Sequence, residues 1–195
     1  MRRKVFDTLA SAAGLLVVVM LLVAGGLAMW GYNFANSSVK TQLAQQQIVF
    51  PDKGSPALAG PKIGPYLNQY AGQQLTTGAQ AKAYADHFIA VHLSEMPYGG
   101  VYSKVSAASQ ADPTNATLTA EKQTVFQGTT LRGLLLEAYA FSVFATLALW
   151  AAVAAFAGAL IMAALVLLGF WHSRRVSEDA ELLPRTSAVR VPVTA

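Results

Sequence analysis

Two long uncharged apolar runs, separated by a mixed segment of short amphipathic stretches, set the pattern of this chain. The second run is too long for one bilayer crossing. Residues 138–171 form 34 consecutive positions without a formally charged side chain. A hydrocarbon core of ~30 Å needs only about 20 helical residues at ~1.5 Å each. The surplus of about a dozen apolar residues must be covered by protein, or the helix must tilt strongly in lipid. Trp150 and Trp171 stand 21 residues apart, about 31 Å of helix, and can mark the two interfaces. That spacing predicts a transmembrane helix over 150–171. Residues 133–149 then form a stem that continues the helix outside the bilayer. Glu137 argues against placing the whole run in lipid.

The first run, residues 9–30, holds 22 uncharged residues and can also cross as a helix. A basic cluster precedes it, and Trp30, Tyr32 and Phe34 follow as an interfacial aromatic belt. The rival reading is a cleaved signal peptide. Against it, the run exceeds an h-region of about 7–15 residues, and no clear A-x-A-like site precedes the aromatics. Ala10 with Gly14, Ala154 with Gly158, and Ala151 with Ala155 and Ala159 place small residues at helical spacing, which predicts that the two spans pack on each other.

Between the runs, residues 31–149 read as helical. A helix over 36–47 is capped by Asn36, Ser37 or Ser38, or the first span simply continues. Four prolines and three glycines in residues 51–65 predict an extended loop. Thr76 or Thr77 then caps a helix over 78–95, where Ala81, Tyr84, Phe88 and Val91 recur at helical spacing. Residues 96–100, Met-Pro-Tyr-Gly-Gly, break it, and a short helix over 101–110 follows. Asp112-Pro113 reads as an N-cap and first helical position for a helix to Gln127. Gly128 ends that helix, and Thr129 or Thr130 caps the last one. No convincing alternating pattern marks a strand. A segment this size has little core of its own, so the outer helices are expected to fold around the stem. Leu134, Leu135, Tyr139 and Phe144 are its packing or docking residues. The fold class is therefore an all-α membrane protein with a small helical extracytoplasmic domain.

Charge sharpens the topology. The chain of 195 residues is 54% hydrophobic and only 12% charged, against ~25% charged in soluble domains. Arg2, Arg3 and Lys4 precede the first run, and Arg174, Arg175, Arg185 and Arg190 follow the second. The positive-inside rule therefore places both termini, residues 1–8 and 172–195, in the cytoplasm of a multi-pass cell-membrane protein. Trp30, Trp150, Trp171, Arg174 and Arg175 are its anchors. The tail is polar, carries Pro184 and Pro192, and is expected to lack fixed structure. Residues 31–149 hold seven basic against six acidic residues, without the basic face of a nucleic-acid binder. The chain has no cysteine, which removes disulfides, thiolate catalysis and cysteine-ligated metals.

The best candidate for chemistry is His87, His92 and Glu95, since non-haem iron sites use two histidines and a carboxylate. His87 and His92 are five residues apart, ~140° of helical rotation, while His92 and Glu95 can share a face. The weight falls on ordinary helix surface, with no metal and no cofactor. Gly99-Gly100 lacks the lysine and frame of a phosphate loop, and Ser94 lacks a nucleophile-elbow context.

Three segments carry a resemblance: WGYNFANSSVKTQLAQQQIVFP (residues 30–51), HFIAVHLSEMPYGGVYSKVSA (87–107) and FQGTTLRGLLLEAYAF (126–141). With the flanking spans, the chain resembles a group of small, uncharacterised actinobacterial two-span membrane proteins, some labelled "aromatic ring-opening dioxygenase". The resemblance implies the two-span architecture and no established activity. The label would require an iron site of two histidines and a carboxylate, which His87 and His92 at this spacing do not support. The expected role is non-enzymatic: a structural or accessory subunit packing against a larger membrane or envelope complex. The alternatives are a metal-dependent enzyme using His87, His92 and Glu95, and an extracytoplasmic ligand-binding module.

Overall fold

The structure is a computed structural model, and it describes residues 2–177 and Ala180. It is all-α: no strand occurs among the described residues, and one isolated antiparallel bridge joins Val49 to Gln74. The helices are α1 (Arg3–Gln45), α2 (Gly64–Leu67), α3 (Gly78–Tyr84), α4 (Ala90–Ser94), α5 (Tyr102–Ala111) and α6 (Ala116–Arg175). A π-helical segment, Ala85–Ile89, joins α3 to α4 without a break. Both α1 and α6 are long and apolar enough to cross a membrane. The chain divides into two compact units: Met1–Met29 with Trp150–Ala195, and Trp30–Leu149.

In the first unit, α1 and α6 pack antiparallel along a seam of small residues. A methyl group on Gly14 would lie 2.7 Å from Val166, and one on Gly25 would lie 2.9 Å from the Phe156 ring. Gly169 faces Ser11, and Gly158 faces Leu21. Only glycine admits backbone this close, which is how helices associate where no hydrophobic driving force separates them from lipid. The buried positions recur every seven residues: Ser11, Val18 and Gly25 on α1, and Ala152, Ala159, Val166 and Ser173 on α6. The predicted rows are corrected accordingly. Ala10, Ala151 and Ala154 are exposed, while Gly14, Gly158 and Ala159 do lie at the seam. A four-residue row drifts off a face that a seven-residue repeat keeps in register.

The second unit is built on the remaining parts of α1 and α6. α1 runs through Asn36–Ser38 and ends at Gln45, where Gln47 turns left-handed (φ 53°). The Gln74 side-chain amide caps the end by donating to the Ala44 carbonyl (2.9 Å). The extended loop expected over residues 51–65 is instead a run of turns with a 3-10 turn at Pro56–Leu58, and α2 already begins at Gly64. Thr77 caps α3: its hydroxyl accepts from the Gln80 N–H, and the buried Gln80 side-chain Oε1 accepts from the Thr76 and Thr77 N–H groups. The break at residues 96–100 contains Tyr98 and Gly99 in left-handed conformation. Phe50, Leu67, Leu75, Val105, Val125 and Leu135 are the fully buried core side chains. The Phe50 ring tilts on Tyr70 and meets Tyr84 edge-on.

Two predicted boundaries are corrected. Asp112-Pro113 does not start the last helix; Asn115 caps it, accepting from the Leu118 N–H (3.1 Å). Gly128 does not end a helix, since α6 is one helix from Ala116 to Arg175. Gly128 is small because Leu93 packs on it: a methyl there would lie 2.9 Å from a Leu93 terminal carbon. Thr129 bonds back to the Val125 carbonyl within the helix and caps nothing. The tail expected from Ser173 onward is helical to Arg175, and its part beyond Ala180 lies outside the described residues, as do Glu178 and Asp179.

The stem is clothed on one face only. Leu135 and Ala145 are buried and Tyr139 and Ser142 half-buried, whereas Leu134, Phe141, Phe144 and Leu147 are exposed. The outer helices thus seat on the stem without encircling it.

Two measurements follow. Gly78 opens α3 against Ser142 and Tyr139 of α6, with no room for a methyl group. Gly78→Ala is expected to cost about 1–3 kcal/mol and Thr77→Ala ~1 kcal/mol, read as lowered melting temperatures in detergent. A fragment spanning 33–128 lacks Leu135 and the stem face, and is expected not to melt cooperatively; a sharp, reversible transition would contradict the packing described.

Candidate functional site

The π-helical segment carries the densest polar cluster of the second unit. A π turn widens the helix by one residue and re-aims the side chains around it. Here the Ala90 N–H reaches back to the Ala85 carbonyl, which also accepts from Arg132 Nε (3.3 Å). Arg132 Nη2 donates to Asp86 Oδ1 at 2.9 Å, and Lys82 Nζ donates to Oδ2 at 2.6 Å. One carboxylate therefore holds a lysine from its own helix and an arginine from α6. The Lys82 ammonium also lies 5.3 Å from the centre of the Tyr139 ring.

The electrostatics follow from these contacts. The hydrogen bond from Lys82, with that from Arg132, holds the Asp86 carboxyl below its ordinary value, against partial desolvation. The same bond to Asp86 raises the Lys82 ammonium. Burial raises the Tyr84 phenol. With both cations drawn onto one carboxylate, this cluster is a tie between α3 and α6.

The histidines are occupied otherwise. His87 stacks flat on Tyr66, with ring centres 3.5 Å apart and planes 3° from parallel. His92 Nδ1 lies 2.7 Å from the Phe88 carbonyl oxygen, and its ring packs against Phe88. Glu95 is exposed just past the end of α4. Among the described residues, no three His, Asp or Glu side chains converge as a metal-binding group.

A second feature is concave. A groove of about 470 Å³ lies between residues 34–46 of α1 and 131–141 of α6. Phe34, Val39, Leu43, Leu135, Ala138 and Phe141 form its apolar lining. Ser38, Gln42, Gln46 and Glu137 supply its polar groups. Of this lining, the sequence analysis singled out Leu134 and Leu135 as packing or docking residues and Phe34 as an interfacial aromatic. It passed over Arg132, whose only signal is a lone cation entering a long apolar run.

The tryptophans and arginines expected to act as anchors have distinct places. Trp30 is exposed and stacks on Phe34 (ring centres 5.7 Å apart). Trp150 and Trp171 are also exposed, and the Arg175 guanidinium lies 3.9 Å from the Trp171 ring centre. Arg174 is exposed, and His172 Nε2 faces Asp7 at 3.8 Å.

The Asp86 tie gives a pH prediction. A carboxyl with a lowered folded-state pKa binds its proton more readily in the unfolded chain. Its stabilisation is therefore complete above the ordinary aspartate range, about pH 4, and is lost as pH falls below that toward the lowered value. Asp86→Asn should flatten that acid-side loss and lower stability at neutral pH, measured by melting temperature against pH in detergent. Arg132→Met should flatten it partly, because Lys82 remains.

No family model matches this chain, and the searches of curated proteins and of solved structures return no significant match.

Proposed function

We propose that this protein is a non-enzymatic, membrane-anchored accessory subunit that docks a larger membrane or envelope protein through the uncovered face of α6. In this reading both candidate helices cross the membrane, both termini lie in the cytoplasm, and the unit of residues 30–149 faces outward. The basic residues before the first apolar run and after the second support that orientation. The observation that carries the reading is the asymmetry of the stem. Leu135 is 2% exposed, whereas Phe144 and Leu147 are 66% and 59% exposed. Contiguous exposed apolar patches on folded proteins mark interaction sites. The core of this unit lies on the opposite side of the helix, so these two side chains contribute little to holding it together. The polar cluster supports a structural role, since its charges are spent on one another.

Topology and docking are separately measurable. The chain has no cysteine, so single cysteines report without background. Ser103→Cys is expected to react with a membrane-impermeant maleimide on intact cells, and Ser177→Cys only after permeabilisation. A photo-crosslinking amino acid at Phe144 or Leu147 is expected to capture one protein of defined mass in native membranes, while the same probe at Leu160 captures none. Equal capture of lipid at Phe144 and Leu160 would overturn the docking face.

A further inference from the structure

We propose that Asp7 and His172 form a proton-dependent clasp between the start of α1 and the end of α6, joined as an ion pair when the imidazole is protonated and released when it is neutral. The clasp belongs to the first unit and is independent of the docking face. With the proposed topology, its proton comes from the cytoplasm.

The seam brings both groups together. Ser11 faces Gly169 across it. Asp7 lies one turn before Ser11 on α1, and the buried Ser173 lies one turn after Gly169 on α6, with His172 beside it. Asp7 is thus carried to α6 by the register of the small-residue seam. It is also the only acid before Asp52, in a chain that opens with Arg2, Arg3 and Lys4. Among the described residues, its Oδ2 is the one buried side-chain nitrogen or oxygen without a hydrogen-bond partner. A buried carboxylate oxygen without a donor is costly, so it favours a cationic donor wherever one can reach it. His172 Nε2 lies 3.8 Å from Oδ2, and the His172 side chain is half exposed, so water can exchange its proton. An approach of about 1 Å brings the pair to the ~2.8 Å of a charge-assisted hydrogen bond. His172 also stands in the last turn of α6, where the helix dipole favours a cation. The other charges around the pair belong to groups that do not change in this range. Arg3 and Lys4 stand one turn before Asp7 on α1. Arg174 and Arg175 follow His172 on α6, with the Arg175 guanidinium on the Trp171 ring. Lysine and arginine stay charged, and an aspartate in water stays ionised, throughout the range around pH ~6.5 in which imidazole ordinarily titrates. Past the helix, the Ala180 carbonyl accepts from the Arg3 N–H at 2.9 Å, a second tie across the same two helix ends.

The test is a double-mutant cycle on the full chain in detergent, read as melting temperature at about pH 5.5 and about pH 8, on either side of the ordinary imidazole midpoint. Pairing Asp7→Asn with His172→Gln subtracts the titration of His87 and His92, which all four proteins share. At the lower pH the two substitutions are expected to be coupled by about 2 °C, the shift that an ion pair of ordinary strength gives in a chain of this size. At the higher pH the coupling is expected to vanish, because the stabilisation is present only while the imidazole holds its proton and is lost as pH rises. His172→Lys supplies a permanent cation and is expected to keep its coupling to Asp7 at both pH values, which mere packing at this position would not produce. Coupling of Asp7 to the native histidine that is equal at both pH values, or absent at both, would overturn the proposal. An Asp7→Asn variant as stable as the parent at both pH values, the result for a carboxyl that never ionises, would overturn it as well. So would a His172→Lys variant without coupling to Asp7 at either pH.

Discussion

The fold depends on how closely α1 and α6 can approach. Where they meet in the first unit, glycine, serine, alanine and valine occupy the seam, and several glycines leave no room for a larger side chain. Between apolar helices in lipid, burial from water offers no gain, so contact must come from dispersion at short range and from shape. The seven-residue recurrence keeps that seam on one side of each helix, at the cost of a slight left-handed supercoil. In the second unit the same spacing continues to Val39 on α1 and Ala145 on α6, both buried. Here, however, larger side chains such as Leu43 and Leu135 join them, and burial from water contributes.

Onto that scaffold the short elements attach through a few specific devices. The Thr77–Gln80 capping box fixes where α3 begins, and Gly78 lets it begin directly on α6. The π turn shifts the register of the following helix by one residue; the Ala85 carbonyl accepts from both the Ala90 N–H and Arg132, and Asp86 meets both cations. Leu93 closes against Gly128 and Gly100. A stack of rings from Tyr70 through Phe50, Tyr84 and Phe88 to His92 fills the space behind these contacts. The histidines that composition offers as metal ligands lie instead against the rings of Tyr66 and Phe88.

Two surfaces remain unpartnered within the second unit, and both involve the stem. One is the outward row of Phe144 and Leu147, and the other is the groove bounded by Phe34 and Phe141. Fully covering the stem with its own domain would remove both.

Apolar run length, basic flanks and breaker residues are local signals, and they determined what the sequence alone could determine: an all-helical chain with two segments able to cross a membrane, a helix opening at Thr77, and a break at residues 96–100. The surplus length of the second run likewise required a helix longer than any bilayer, and α6 has that length. Tertiary structure decided which glycines terminate and which merely make room. Gly128 has the spacing of a helix stop, but Leu93, 35 residues earlier in the chain, explains its size. It also decided the seam register, the pairing of Asp86 with Arg132 across 46 residues, and which face of the stem stays bare. Each of these depends on a partner distant in sequence, and helical periodicity specifies a face without specifying what will lie against it.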